Sequence, residues 1–397
     1  MPKQNVPALR LHGFSGEWET VSLDELQKRR LVTLGRGEVI SQIDINAHPG
    51  NYPIYSSSAK NDGLFGRYGR YMFSDERITW SIDGGGQFFY RSAHRYSVTN
   101  VCGWMKINTN TIDTSFLYLA LYLQWLEQSF DYSVKAHPSN IVQIYNPHFP
   151  PTLEEQQAIG AIFTNLDAAI NQHTLKHKAL QQSKTALMQR MFPQEGQTVP
   201  ELRLEGFDGE WEEKRLVDEV SFFSGLTYTP SDVVEHDGTL VLRSSNVQDG
   251  VIATKDCVYV RTDAVNVQNV RKNDIIMVVR NGSRSLIGKH AVVQKPMPST
   301  VIGAFMTGIR SDQPWFINAL FDTGLFKYEV DKSMGATINQ ITGGMFAGMS
   351  FFFPPTLEEQ QAIGAIFTKL DALIAAEAQY IKSLSQAKTA LLQRMFI

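Results

Sequence analysis

The chain has 397 residues, 43% of them hydrophobic and 19% charged, with a formal net charge of −3. That is the profile of a globular protein large enough for two or three domains, and it excludes a globally basic nucleic-acid binder. The longest apolar run, Phe116 to Leu123, is far short of the ~20 residues a membrane span needs, and MPKQNVPALRL at the start has no apolar signal core. Two cysteines, Cys102 and Cys257, offer neither a disulfide framework nor a zinc cluster, which fits a reducing cytoplasm.

Repetition organises the chain. PALRLHGFSGEWE begins at Pro7 and PELRLEGFDGEWE at Pro200, an offset of 193 (200 − 7). PPTLEEQQAIGAIFT occupies Pro150 to Thr164 and returns letter for letter at Pro354 to Thr368, an offset of 204 (354 − 150). KTALMQRMF from Lys184 likewise returns as KTALLQRMF from Lys388. A repeat at one period of roughly 20–50 residues reads as a solenoid. Shared edges around divergent middles read instead as one scaffold holding two different readers.

In chain order, residues 1–149 form a first mixed domain, with β-like runs such as RITWSI (Arg77 to Ile82), Gly/Asn/Ser turns and one apolar helix over Phe116 to Leu126. A long helix follows within 150–192, over Thr152 to Phe192: Thr152 and Glu155 spell a capping box, and Pro193 and Gly196 end the pattern. Residues 193–199 are a polar linker. A second mixed domain spans 200–353, with β-rich runs such as DIIMVV (Asp274 to Val279), and 354–397 carries the second long helix. The expected fold is α+β: two mixed α/β domains in pseudo-two-fold arrangement, joined by two long antiparallel helices that form a coiled coil.

The coiled coil rests on periodicity. Steps of four and three pick out Ile159, Phe163, Leu166, Ile170, His173, Leu180 and Leu187 in the first helix. In the second they pick out Ile363, Phe367, Leu370, Ile374, Glu377, Ile381, Leu384 and Leu391. This is an a/d seam interrupted by a few polar positions; the alternative is two amphipathic helices, each lying on its own domain. His173 and Glu377 are equivalent mid-helix positions, so antiparallel packing brings them to the centre, where a polar pair can fix register. A helix of about 40 residues is about 60 Å long. Domains near its ends then reach two DNA sites about one helical turn, ~34 Å, apart.

Several patterns imitate catalytic motifs and fall short. Asn146-Pro147-His148-Phe149 resembles the Asn-Pro-Pro-aromatic loop of amino-methyltransferases, but lacks the second proline and a glycine-rich site for the methyl donor. Gly282 to His290 has the wrong glycine spacing for a phosphate loop and His290 where Ser or Thr must hold magnesium. Asp83-Gly84-Gly85-Gly86 reads as a tight turn, and Glu212-Glu213-Lys214 as a solvated run without a nuclease partner upstream. What remains is polar, basic and aromatic chemistry at turns. The candidates for DNA contact in the first domain are Tyr55, Ser57, Ser58, Lys60, Arg67, Arg70, Arg91 and Arg95. In the second they are Arg243, Ser244, Ser245, Asn246, Arg280, Asn281, Ser283, Arg284, Lys289, Asn339 and Gln340. Arg takes guanine bidentately, Asn or Gln adenine, and Ser a phosphate or base edge. Residues 7–149 are charge-balanced and residues 200–353 carry 15 Lys/Arg against 19 Asp/Glu, so any DNA face is a local cluster. Affinity of the chain alone should be modest, with a partner supplying much of the phosphate contact.

The repeated PPTLEEQQAI start of each long helix, the GEWE opening of each half and the turns LRSSN and VVRNGSRSLIGK resemble the specificity subunit of type I restriction–modification systems across essentially the whole chain. YSSSA of the first domain aligns with LRSSN, and SIDGGGQ with VVRNGSR. The resemblance implies two target-recognition domains, each reading half of a split site in double-stranded DNA, on a two-helix spacer that docks two methyltransferase subunits. Restriction subunits would join through the methyltransferase. It implies no catalytic, cofactor or metal site in this chain; S-adenosylmethionine, ATP and Mg belong to the partners, in a prokaryotic cytoplasm with no membrane association. A stand-alone adenine methyltransferase using Asn146 to Phe149, or a coiled-coil adaptor without DNA contact, are the alternatives. From the repeat, residues 1–197 alone are expected to dimerise through their helix and, with partners, to recognise a palindrome. A half-chain that sediments as a monomer contradicts this.

Overall fold

The computed structural model of the protein describes residues 5–58, 60–128, 136–334 and 339–397; Lys3, counted in the charge, and Ala59 of the YSSSA turn lie outside them. The chain divides into two compact units: Met1–Thr174 with Gln379–Ile397, and Leu175–Ala378. The long helices, Leu153–Met191 and Leu357–Met395, are divided between them. Each unit therefore holds one divergent region and a stretch of both helices.

The divergent regions share a topology. In the first unit, strands Val32–Arg36, Cys102–Ile107, Arg77–Ser81 and Phe88–Arg91 lie side by side in that order, all antiparallel. In the second, Ser221–Ser224, Met306–Arg310, Ile275–Val278 and His290–Val292 repeat the order and the sense. The central strands Arg77–Ser81 and Ile275–Val278 are buried at every position, as strands covered on both faces must be. Each unit has a second sheet, three-stranded in the first and four-stranded in the second, that contains a parallel pair: Tyr52–Tyr55 with Ser97–Val98, and Thr239–Leu242 with Thr300–Ile302. The apolar helix expected near Phe116 is Thr114–Leu126; Asp113 caps it by accepting from the Phe116 N–H at 2.8 Å.

Each long helix starts as its sequence dictates, with one difference. The Thr152 and Thr356 hydroxyls accept from the N–H groups of Glu155 and Glu359 at 3.3 Å, the expected half of a capping box. The glutamates do not complete the box. Glu155, 1% exposed, takes Arg10 in a two-point pair at 2.8 and 2.7 Å, and Glu359 takes Arg203 at 2.9 and 2.7 Å. Each arginine also donates to two carbonyls of its own opening phrase: Ser15 and Gly16 for Arg10, Asp208 and Gly209 for Arg203. The neighbouring leucine ties in the end of the other long helix: Leu9 N–H donates to Arg394 O at 2.7 Å in the first unit, and Leu202 N–H to Arg190 O at 2.8 Å in the second. Trp18 and Trp211 of the same phrases pack edge-on against Phe396 and Phe192. The opening phrase is thus a collar that gathers the start of one helix and the end of the other.

Within each unit the helix stretches run antiparallel. In the first, Phe163 meets Phe396, Asp167 takes Lys388 at 2.5 Å, and His173 packs on Tyr380 with ring centroids 4.5 Å apart. In the second, Phe192 meets Phe367, Lys184 takes Asp371 at 2.6 Å, and Lys176 pairs with Glu377. These are the same three contacts displaced by the repeat offset. Ile159, Phe163, Ile363, Phe367 and Glu377 are buried; Leu166, Ile170, His173, Leu180, Leu187, Leu370, Ile374, Ile381, Leu384 and Leu391 are half-buried along otherwise exposed helix. Lys184 also pairs with Asp322 at 2.8 Å, holding the helix to its own domain.

The glycine in QQAIGAIF has a specific use. A Cβ on Gly364 would stand 2.8 Å from the Phe316 backbone nitrogen and 3.0 Å from the Trp315 carbonyl carbon, where the helix Pro314–Phe321 abuts the long one. On Gly160 it would meet the Ser115 hydroxyl at 2.1 Å and the capping Asp113 at 2.6 Å. Gly-to-Ala in a helix ordinarily stabilises by about 1 kcal/mol. Here Gly364→Ala should instead destabilise, by roughly 1–3 kcal/mol from overpacking, and by more than Gly160→Ala, whose two nearest obstacles are side chains able to turn away, the Phe116 backbone nitrogen standing farther off at 3.3 Å. Urea unfolding of the two variants checks both sign and order.

Candidate nucleic-acid interface

In the second unit, three turns far apart in sequence come together. Strand Thr239–Leu242 ends in the turn Ser244–Asn246, and strand Ile275–Val278 ends in residues 280–284. The Asn281 amide donates to the Ser244 hydroxyl at 3.2 Å, joining the first two turns. The third arrives as Asn339, whose amide donates to Gly282 O at 3.2 Å, while Arg280 and Gln340 form a β-bridge. On the outside of this cluster stand Arg280, Ser245, Ser283 and Asn339, all exposed. Phe305 stands beside them, 52% exposed, with the Arg280 guanidinium 5.1 Å from its ring centre.

The first unit repeats the layout with other side chains. Strand Tyr52–Tyr55 runs into Ser56–Ser58, and strand Arg77–Ser81 into the glycine turn at residues 83–86. The Ser81 hydroxyl donates to Ser57 O at 2.9 Å, and a Cβ on Gly84 would lie 2.3 Å from that same carbonyl. Gly84 therefore lies against Ser57 as Asn281 lies against Ser244. The backbone registers agree as well: Ile82 N–H bonds Val101 O at 2.9 Å and Ala136 N–H bonds Ile82 O at 3.1 Å. In the second unit Val279 N–H bonds Phe305 O at 3.0 Å and Ile341 N–H bonds Val279 O at 2.8 Å. YSSSA and LRSSN follow equivalent strands, and so do SIDGGGQ and VVRNGSR. Exposed cations nearby are Lys60, Arg67, Arg70 and Arg95. Arg67 donates to Asn51 O at 2.9 Å, and Arg95 donates to the Tyr52 hydroxyl at 2.8 Å, lying 5.0 Å from the Tyr71 ring.

Two nominated residues are structural. Arg91 is 2% exposed, paired with Asp62 at 2.6 Å, bonded to Thr79 and stacked 3.7 Å over Tyr55. Its guanidinium closes the interior of the domain, so it is not a DNA contact. Asn246, fully buried, accepts from the Arg243 N–H at 2.9 Å and donates to Ala253 O at 2.9 Å; it shapes the turn and has no edge left for a base. Several others are partly committed. Tyr55 is half-buried, with its hydroxyl 3.2 Å from His94, and burial pushes its phenol up while Arg91 pulls against that. Arg243 donates to Asp256 O at 3.2 Å, and Arg284 to Asp331 O at 3.0 Å. Ser58 accepts from the Lys60 N–H at 3.1 Å, and Lys289 is half-buried, its N–H bonding Leu286 O at 3.3 Å. In the sequence Phe305, a single aromatic in GAFM, carries no local signal; only its place beside Arg280 gives it meaning.

The catalytic look-alikes resolve as scaffold. His148-Phe149 is a short strand paired with Glu19–Thr20, and its imidazole, 2.8 Å from the Thr20 hydroxyl, has a pKa lowered by burial. Asp83 to Gly86 turns the hairpin between Arg77–Ser81 and Phe88–Arg91, and His290 lies in a strand, its Nδ1 2.8 Å from Gly288 O. Glu212 to Lys214 pairs with Phe351 to Phe353. Among the described residues no group of His, Cys, Asp and Glu has metal-binding geometry, and no described helix is long and apolar enough to cross a membrane.

The chain matches the family described as the type I restriction modification DNA specificity domain twice, over residues 15–181 and 209–386. A Mycoplasma pneumoniae chain described as the N-terminus of a type I specificity subunit is 42% identical over 91 residues, 22% of this chain and 48% of that one. A second M. pneumoniae chain described as a type I specificity subunit is 32% identical over 161 residues, 39% of this chain and 51% of that one. The matched segments thus span about half the length of these curated relatives. A crystal structure of the S subunit of a type I restriction–modification system from M. genitalium superposes with a TM-score of 0.72 at 16% identity, covering 99% of both chains, which shows a shared fold. The chain belongs to the type I restriction–modification DNA specificity family, a family of non-catalytic specificity subunits.

Proposed function

We propose that the chain is the sequence-reading subunit of a type I system: each turn cluster reads half of a split DNA site, and the long helices present the partners. The observation that carries this reading is the pairing of one sheet topology with two different sets of side chains at the same turns. A scaffold that only held partners together would have no use for that difference. In the second unit Arg280 would take a guanine through O6 and N7, with Ser245, Ser283 and Asn339 for flanking edges or phosphates. In the first unit Lys60, Arg67, Arg70 and Arg95 supply the basic face, and the partly committed Tyr55, Ser57, Ser58, Ser244, Asn281, Arg284, Lys289 and Gln340 support or border these contacts.

The chemistry belongs to partners. Two methyltransferase subunits, docked on the helices, would bind S-adenosylmethionine and methylate a flipped adenine; restriction subunits using ATP and Mg would join through them. With so few exposed cations at each cluster, counterion release from this chain alone is small, and tight binding requires the assembled complex in the cytoplasm.

Sequencing of adenine methylation in cells with and without the chain, supplied with its partner, should reveal one split motif that vanishes on deletion. Arg280→Ala should then relax the motif at one position of one half-site, a loss of about 1–3 kcal/mol of discrimination, and leave the other half-site intact. Unchanged methylation on deletion, or an Arg280→Ala motif identical to the parent, contradicts the reading. Methylation by the purified chain alone would establish the enzyme alternative instead.

A further inference from the structure

We infer that Phe305 is a specificity residue that reads a thymine through its C5-methyl group, next to the base taken by Arg280; the inference rests on the DNA-reading function proposed above. Phe305 sits in the tight connection between strands Thr300–Ile302 and Met306–Arg310. Its carbonyl accepts from two N–H groups, Val279 at 3.0 Å and Arg280 at 3.2 Å. Its backbone is therefore fixed to the end of the buried central strand, while the residue is 52% exposed. A lone exposed aromatic ordinarily needs no explanation. This one lies against the guanidinium of Arg280 at 5.1 Å, and the turns around it are otherwise polar.

The ring has a definite chemical counterpart. Base edges in the major groove present hydrogen-bonding groups and one apolar group, the thymine methyl, which apolar side chains such as Phe contact. Cation–π attraction to the ring favours this placement of Arg280, so the pair presents a bidentate donor and an apolar surface side by side. The equivalent backbone positions of the first unit hold no such pair. The backbone position equivalent to Phe305 is Val101, whose carbonyl accepts from Ile82 N–H at 2.9 Å, and Asp83 stands where Arg280 stands. Methyl reading by this device is thus confined to one half-site.

The test uses the assembled methyltransferase complex and duplexes carrying the motif recovered by methylation mapping, with each thymine replaced in turn by deoxyuridine. Burying one methyl is worth ~0.8 kcal/mol, about fourfold in affinity at 1.4 kcal/mol per tenfold. Expected is one thymine, in one half-site only, whose replacement weakens the parent complex about fourfold and leaves Phe305→Ala unchanged. Phe305→Leu should keep the discrimination, because it keeps an apolar surface. Retention of the other half-site's discrimination shows that the variants are folded, and both keep the carbonyl on which the turn depends.

If Phe305→Ala loses equally on thymine and uracil at every position, the ring acts as a wedge or a support and the inference is overturned. Indifference of the parent complex to every replacement, or a motif half without thymine, overturns it as well. Those outcomes leave sequence-specific DNA reading standing. Failure of the parent complex to prefer any motif removes both.

Discussion

A two-point Arg–Glu pair, formed twice, is the contact on which the architecture depends. Arg10 with Glu155 and Arg203 with Glu359 bury a carboxylate to 1% exposure at the first turn of each long helix. A carboxylate taken out of water is costly unless both oxygens are satisfied, and loss of one partner from such a pair costs about 3–5 kcal/mol. Each pair also lies near a helix N-terminus, where negative charge is favoured. Because the arginine holds two carbonyls of its own phrase and the adjacent leucine holds the end of the other helix, one short segment sets three chain directions together. This accounts physically for the repetition. The opening phrase, the helix start and the helix end are the three parts of one joint, and the joint is built twice.

Held by that joint, the divergent regions vary without loss of form. Their sheets share strand order, sense and parallel side pair, although their sequences differ throughout. A sheet asks of a buried strand that it be β-forming and either apolar or hydrogen-bonded: IIMV is apolar throughout, and in RITWS Ile78 and Trp80 alternate with Arg77, Thr79 and Ser81, each of which has a side-chain partner. Its turns ask for little more than room, so chemistry accumulates there. The second unit fills its turns with Arg280, Asn281 and Asn339 around an aromatic; the first has glycines and serines, with its cations displaced to the strand Leu64–Tyr68 and beyond.

The helix seam shows why polar interruptions can persist. Lys184 is drawn into a half-buried site, and burial disfavours its charge, yet Asp322 and Asp371 more than offset this and its pKa is raised. Lys388 pairs with Asp167 at the equivalent place in the first unit. At mid-helix the two units differ, with His173 on Tyr380 and Glu377 on Lys176. A seam that is identical at its outer contacts and different at its inner ones discourages exchange of one helix for the other.

Much of this was readable in the residues, for identifiable reasons. The long helices, their ends and their seam follow from local periodicity and capping. The turns were nominated because Arg, Asn and Ser after a β-run are legible locally. The same local view placed Arg91 and Asn246 on the surface, since nothing in RSAHR or LRSSN says that Asp62, Tyr55 or Ala253 will fold over them. It also gave Glu155 to its own helix cap, since Arg10 lies far away in sequence. By itself the sequence determined what depends on near neighbours: two halves, two helices, the β-runs RITWSI and DIIMVV, and which turns carry donors. Tertiary structure alone decided which donors remain free, that three turns form one surface, and that Phe305 belongs to it. Burial and convergence arise from contacts between segments far apart in the chain, and no local pattern encodes them.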